Sequence, residues 1–162
     1  MSLFQICQWL SHTSIATAIR ESDFIFPLIE TVHVLAITLL VGTVAAVDLR
    51  LLGVTLKGEK VSTVAQQVLP LTWAGFAVMM ISGMLLFMAE AAKSYGNIAF
   101  RVKVVLLILA GLNPLIFHST IFRSVRTWDD ASVVPGRARA AAVASLTLWS
   151  GIIIAGRAIA YF

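Results

Sequence analysis

Four long apolar stretches alternate with short polar connections along the chain. The apolar stretches lie at about 24–50, 66–90, 99–122 and 138–161, and each reaches the roughly 20 residues that a helix needs to cross the hydrocarbon of a bilayer. Polar segments separate them, the longest being FRSVRTWDDASVVPGRAR after the third stretch. The pattern predicts an all-α integral membrane protein, a single-domain four-helix bundle.

The N-terminal segment, residues 3–19, is too polar to cross a membrane. Its apolar side chains Leu3, Ile6, Cys7 and Leu10 recur at helical spacing, which is typical of a short helix lying in the membrane interface. The polar residues RESD at 20–23 then mark a boundary. Pro27 falls in the first turn of the next helix, where its missing N–H costs little.

Composition supports the membrane assignment and narrows the partners. Hydrophobic residues make up 59% of the chain and charged residues 12%, about half the charge of a soluble domain. The net charge of +4 does not indicate a nucleic-acid partner, because the cations flank apolar spans, as membrane topology requires. The single cysteine, Cys7, excludes an intrachain disulfide and a metal site built of cysteines alone.

The distribution of Lys and Arg predicts the orientation. Seven lie on the side of the first and third loops and five on the opposite side, a bias that places both termini outside, in the periplasm if the protein lies in a bacterial inner membrane. No cleavable signal peptide is evident. Small residues at four-residue spacing, such as Gly151 with Ala155, would let helices approach closely, within one chain or in the homo-oligomer that we expect.

Three ionisable residues in the first span form the clearest functional pattern. Glu30, His33 and Asp48 lie roughly on one helical face, because Glu30 and Asp48 are about five turns apart and His33 is one turn from Glu30. Ionisable groups are costly in lipid and usually face a bundle interior, a cavity or a partner. The pattern predicts a site on this helix without naming the ligand.

Glu30 and His33 form an E-x-x-H pair. Helix bundles use two such pairs for di-iron sites, and the chain has no second one. We therefore expect Glu30 to accept a hydrogen bond from one ring nitrogen of His33 and so to orient the other nitrogen toward a metal or haem. The alternative is a buried Glu–His pair, or Glu30 bonded to Arg157, that only stabilises the bundle.

A second candidate ligand, His118, lies near the end of the third span. Gly111, two turns earlier on nearly the same face, would let a flat macrocycle approach the backbone. The alternative is a histidine wetted by headgroups or bonded to Ser119 or Asn113. His33 and His118 are predicted to lie roughly 10 to 16 Å apart in depth, so one haem held by both is disfavoured.

Other partners lie at the predicted depth of His33. A set of His33, His12 and a methionine or glutamate would suit copper, while His33 alone would suit one axial position of a haem. Arg157 would then pair with a haem propionate. The alternative for His12 is a polar tip on the interfacial helix, and methionines at these positions are most often simple packing.

Two resemblances bear on the chain. The elements AIRESDFIFPLIETVHVLAITLLVGTVAAVDLRLLG and FRVKVVLLILAGLNPLIFH resemble a bacterial family of small four-span inner-membrane proteins with no assigned function. The stretch HVLAITLLVG is also similar, more weakly, to the membrane part of copper-resistance protein D. That second resemblance implies a copper or haem role for His33 and, by position, for His118.

The sequence therefore supports three hypotheses. The leading one is an inner-membrane redox protein that binds b-type haem or copper and transfers electrons to a partner that the sequence does not identify. The second is a small proton or metal-ion transporter that uses Glu30, His33 and Asp48, and the third is a structural membrane subunit. No nucleotide-binding loop, activated nucleophile or other hydrolase or transferase motif is present, so an enzymatic role would be that of a membrane oxidoreductase.

Overall fold

The computed structural model of the protein describes residues 2–129 and 134–161, without the side chains at 121, 124, 126 and 127. Arg126, one of the cations in the orientation argument, is thus outside the described side chains. The described residues form eight α-helices and two short helical turns: α1 Leu3–Ser11, α2 Ser14–Arg20, α3 Ile25–Leu51, α4 Val61–Ala89, α5 Ala91–Gly96, α6 Ile98–Ile116, a π-helical turn Phe117–Ile121, a 3₁₀ turn Phe122–Ser124, α7 Val125–Trp128 and α8 Gly136–Ala158.

Four of these helices are long and apolar enough to cross a membrane: α3, α4, α6 with the turn that follows it, and α8. The predicted all-α helical bundle is confirmed. Helices α3 and α4 are antiparallel, since α3 meets α4 at Thr43 with Thr72 and again at His33 with Ser82. Helices α6 and α8 are antiparallel as well, since Asn97 contacts Ile159 and Asn113 contacts Ala141. The closest pairs are α3 with α4 and α6 with α8, and the two pairs join through α3 and α8.

Helix ends explain where the elements stop. Gly53, with φ +71°, ends α3 in a Schellman motif in which its N–H donates to Arg50 O at 3.0 Å and the Val54 N–H to Leu49 O at 3.0 Å. Asp129, which is remote in sequence, caps the N-terminus of α4. Its carboxylate accepts from the Ser62 N–H at 3.1 Å and from the Ser62 hydroxyl. This contact explains why α4 begins at Val61, ahead of the predicted residue 66.

The N-terminal segment is two helices where one was predicted. Thr13 Oγ1 accepts from the Ala16 N–H at 3.3 Å and caps α2, so the chain turns between Ser11 and Ser14. Arg20 then fixes both helices to the bundle, donating from Nη1 to Ser11 O at 3.0 Å and to Ala89 O at 3.1 Å. These carbonyls lie in the last turns of α1 and α4, where no later N–H of the same helix donates to them.

Two packed clusters hold the spans together at different depths. Ala36, Leu40 and Met79, with Trp149 against them, join α3 and α4 to α8. A larger cluster lies at the end of the bundle away from the chain termini and includes Leu51, Val61, Val125, Trp128, Ala138 and Ala142. Pro114 leaves one carbonyl in α6 without its usual partner, and the π-helical turn begins three residues later.

Candidate ligand site around His33

His33 lies on α3 and faces α4, where its Nδ1 is 2.9 Å from Ser82 Oγ. The Ser82 hydroxyl already donates its hydrogen to Val78 O, 2.6 Å away in the preceding turn. A serine hydroxyl has one hydrogen, so its oxygen accepts from Nδ1–H of the imidazole. With that hydrogen on Nδ1, the ring has a lone pair on Nε2, the arrangement of histidines that bind metals. The imidazole also forms a hydrogen bond with the backbone of Met79, on the same face of α4.

Gly83, next to Ser82, leaves space on α4 for the His33 imidazole. A Cβ built at Gly83 would lie 3.0 Å from Cε1 of His33 and 3.6 Å from Nδ1. That distance is tighter than nine in ten real Cβ contacts, so a larger residue at position 83 would require the ring or the helix to shift. The Ser82–Gly83 pair thus supplies one hydrogen bond and one flat surface to the same histidine.

Lys103 brings a cation to this end of the bundle. It lies half-buried on α6, close enough to His33 for a coulombic interaction, and its Nζ would be 3.5 Å from a Cβ at Gly156 of α8. Among residues 2–129 and 134–161, no carboxylate forms an ion pair with Lys103. An ammonium group within a span and without an anionic partner is suited to an anionic ligand.

Stacked aromatic rings close the space between α4 and α6 on the side nearest the chain termini. The rings of Phe87 and Phe100 are 5.4 Å apart between centroids and nearly parallel, at 7°. They lie about one turn nearer the helix ends than Ser82 and Lys103. The site is therefore bounded by α3, α4 and α6, with rings between it and the aqueous side.

The orienting role predicted for Glu30 needs correction. Ser82 is the partner that the structure gives to His33 Nδ1, while Glu30 is exposed on the surface of α3. Asp48, in turn, is buried and bonded to Ser145 of α8. The three predicted residues share one helix but not one environment, because α3 contacts α4 at His33 and α8 at Asp48.

His118 and Gly111 lie far from His33. His118 is exposed in the π-helical turn and stacks on Phe122, with 4.7 Å between ring centroids. It follows Lys103 by fifteen residues on α6 and its extension, roughly 22 Å of helix rise, which places it near the opposite end of the bundle. A Cβ at Gly111 would meet nothing within 4 Å, so this glycine faces open space rather than His118 or a neighbouring helix.

Arg157 and His12 are exposed at the termini side. The Arg157 guanidinium lies over the Tyr161 ring, 5.8 Å from its centroid, and His12 forms the C-terminal cap of α1. No three His, Cys, Asp or Glu residues gather at a metal-binding distance in the described part of the chain. The predicted copper set of His33, His12 and a glutamate is therefore not assembled here.

Sequence reasoning missed Ser82, Gly83 and Lys103 as parts of the site. Ser82 and Gly83 form a small polar step in the run VMMISGMLLFM, and they lie at the depth of His33 once α3 and α4 are antiparallel. Lys103 enters the sequence argument only as one of the Lys and Arg residues that predict the orientation in the membrane. A comparison of the depths at which polar residues occur in neighbouring spans would have identified all three.

The fold and the site define a multi-pass membrane protein whose helical bundle contains ionisable residues within its spans, among them His33, Asp48 and Lys103. Residues 20–162 match a family of unknown function, DUF6644, and the chain belongs to this family. No curated protein and no solved structure matches, so the weaker resemblance to copper-resistance protein D gains no support from these comparisons.

Proposed function

We propose that the protein is a bacterial inner-membrane electron-transfer protein that binds a b-type haem through His33. The observation that carries the proposal is the contact of His33 with Ser82, which supports a ring that donates Nδ1–H and offers its Nε2 lone pair to a ligand. A hydrogen bond on the second nitrogen is the usual way in which proteins orient a ligating histidine and increase its basicity.

The residues present suit haem better than copper. A protein copper site draws several ligands from side chains, and no group of three His, Cys, Asp or Glu residues is assembled in the described chain. A haem needs only one or two axial side chains, since the porphyrin supplies the other four nitrogens. The resemblance of HVLAITLLVG to copper-resistance protein D is compatible with either occupant.

Lys103 is the residue that we expect to hold a haem propionate. It lies near His33 and has no carboxylate partner in the described residues, whereas Arg157 is exposed and occupied by its contact with Tyr161. A bound haem would supply one-electron chemistry. The protein would hold its iron through Nε2, neutralise a propionate with Lys103 and limit water with the Phe87 and Phe100 rings.

The predicted topology determines on which side of the membrane the site lies. With both termini in the periplasm, as the Lys and Arg distribution predicts, His33 would lie in the periplasmic half of the membrane and Asp48 near the cytoplasmic surface. A homo-oligomer and a periplasmic redox partner follow as further parts of the proposal. The exposed apolar rings and aliphatic side chains of α3 and α4 are expected to face lipid or another copy.

The test is an absorption spectrum of the detergent-purified protein, oxidised and then reduced with dithionite, with metal analysis of the same sample. We expect a Soret band and sharpened α and β bands on reduction. His33→Ala should remove them, while His118→Ala and His12→Ala, the matched controls, should leave them unchanged. Size-exclusion chromatography shows whether each variant remains folded.

Two results would overturn the proposal. One is a wild-type protein without visible absorption and without iron after haem-supplemented expression and after titration of haem into the purified protein. The other is an unchanged haem spectrum in folded His33→Ala. In the first case, ion flux in liposomes, with Glu30→Gln and Asp48→Asn as variants, tests the transporter hypothesis.

A further inference from the structure

A second set of polar groups joins three spans at the end of the bundle opposite His33. Asp48 of α3 is hydrogen-bonded to the side chain of Ser145 on α8, and both residues are buried at 6% exposure. One turn earlier on α8, the carbonyl of Ala141 accepts from Asn113 Nδ2 of α6 at 3.1 Å. These contacts form a polar layer between α3, α6 and α8 that the proposed haem function does not use.

One atom of this layer lacks a partner. Asp48 Oδ2 is buried and forms no hydrogen bond within the part of the chain that the structure describes. An ionised carboxylate in such surroundings pays a large desolvation cost unless another group compensates it. The hydrophobic cluster of Leu51, Trp128 and Ala142 at the same end of the bundle adds to that cost by excluding water from neighbouring space.

Among the side chains that the structure describes, no neighbouring cation compensates Asp48. Arg50, two residues later, donates from Nε to Glu59 O at 2.6 Å. Arg139 on α8 is exposed, and His118 at the same end is stacked on Phe122. No charged side chain exerts a coulombic effect on the Asp48 carboxyl within the described residues, so the missing positive charge must come from outside this set.

We propose that Asp48 is a proton-binding site inside the bundle. A proton neutralises the carboxylate without further ligands, whereas a metal cation requires several oxygens, and no three acidic, histidine or cysteine side chains gather in the described chain. Uptake converts the carboxylate and one hydronium ion into a carboxylic acid and water, and release reverses this. Asp48 is three residues from the end of α3, so exchange is expected with the solution on that side.

The experiment is infrared difference spectroscopy of the lipid-reconstituted full chain across a pH titration, in H₂O and D₂O. The wild type should show the C=O band of a protonated carboxyl that shifts in D₂O and changes with pH. Asp48→Asn, of nearly the same shape, should remove this band together with one bound proton per chain. Glu30→Gln, which alters an exposed carboxyl on the same helix, should keep it. Ser145→Ala should keep the band and move the pH at which it changes.

The outcomes separate this site from the haem proposal. Identical bands in the wild type and folded Asp48→Asn at every pH would overturn proton binding at Asp48. So would loss of the wild-type band on replacing choline chloride with sodium chloride at constant pH, because Na⁺ would then be the occupant. The haem spectrum of Asp48→Asn should match that of the wild type, so either proposal can fail without the other.

Discussion

His33 and Asp48 lie fifteen residues apart on one helix, yet their burial and their hydrogen-bond partners differ. His33 is half-buried and is held against α4 by Ser82 and by the backbone of Met79. Asp48 is buried, accepts from Ser145 and has one oxygen without a hydrogen-bond partner among the described residues. In our proposals, the first arrangement orients a residue for a ligand, and the second holds a carboxyl that binds a proton.

The difference comes from the neighbouring helices. At His33, α3 meets a serine and a glycine of α4, which together fix the position and tautomer of one ring. At Asp48, α3 meets α8, whose Ser145 donates a single hydrogen bond. The polarity of a residue in a span therefore indicates a site, but the partner helix determines what the site can do. The following predictions test whether the two sites are independent.

The largest effect is expected from enlarging Gly83. Gly83→Leu places carbon atoms where the His33 ring now lies, so haem binding should be lost while the Asp48 carboxyl band remains. Gly111→Leu is the matched control, because a side chain there meets open space. Absorption spectra of both variants give the answer, and loss of haem in Gly111→Leu alone would instead favour the His118 site expected from the sequence.

Ser82→Ala should weaken haem binding by about 10- to 100-fold, the usual effect of removing a group that orients a ligating residue. The methyl group cannot accept from Nδ1–H, so the ring loses both its tautomer preference and its position. Haem titration of the purified protein measures the affinity. Ser150→Ala, which removes a hydroxyl that donates to Leu146 O of its own helix, should have the wild-type affinity. Equal losses in both variants would indicate a general change in the bundle.

Gly75→Ala should lower the free energy of unfolding by about 1–3 kcal/mol, the cost of inserting a methyl group into close packing. A Cβ there would lie 3.1 Å from Leu40 N and 3.3 Å from Ala36 O, which are backbone atoms that cannot move aside cheaply. Gly42→Ala, which meets nothing within 4 Å, is the control. Thermal unfolding in detergent compares them, and similar Tm values would show that the α3–α4 contact is less close than described.

The smallest effect is expected at Asp129. Burial disfavours the Asp129 carboxylate, but hydrogen bonds from Ser62 and Val61 and the charge of Lys60 outweigh burial and hold its pKa below the ordinary value. A lowered folded-state pKa means that this stability is complete above the ordinary carboxyl pKa of about 4 and is lost as pH falls through the folded pKa.

Asp129→Asn should therefore cost about 1 kcal/mol near neutral pH, the typical worth of a helix N-cap, and less in acid. Unfolding measured at several pH values checks this, with exposed Glu59→Gln as control. A constant difference between wild type and Asp129→Asn down to strongly acidic pH would contradict the capping role of the charge.

The sequence was sufficient for the four spans, because apolar length and polar connections determine them directly. It also singled out His33 and Asp48, since ionisable residues in apolar runs are conspicuous. It could not supply their partners: Ser82 and Gly83 acquire meaning only when α4 packs on α3, and α4 begins early only because Asp129 reaches it from another loop. The break between α1 and α2 depends on a local cap, Thr13, that the apolar spacing of residues 3–19 conceals.

The pairing of consecutive spans sets an order of biogenesis. The first hairpin, α3 with α4, contains His33, Ser82 and Gly83, so this part of the site exists once two helices have left the translocation machinery. Asp48 receives Ser145 only after α8, the last span, has been inserted. Two separately expressed fragments divided after Gly96, which leaves Asn97 to cap α6 and to bind Ile159 O, are therefore expected to reassemble in the membrane. The first fragment alone would carry an oriented His33 and an unprotected Asp48.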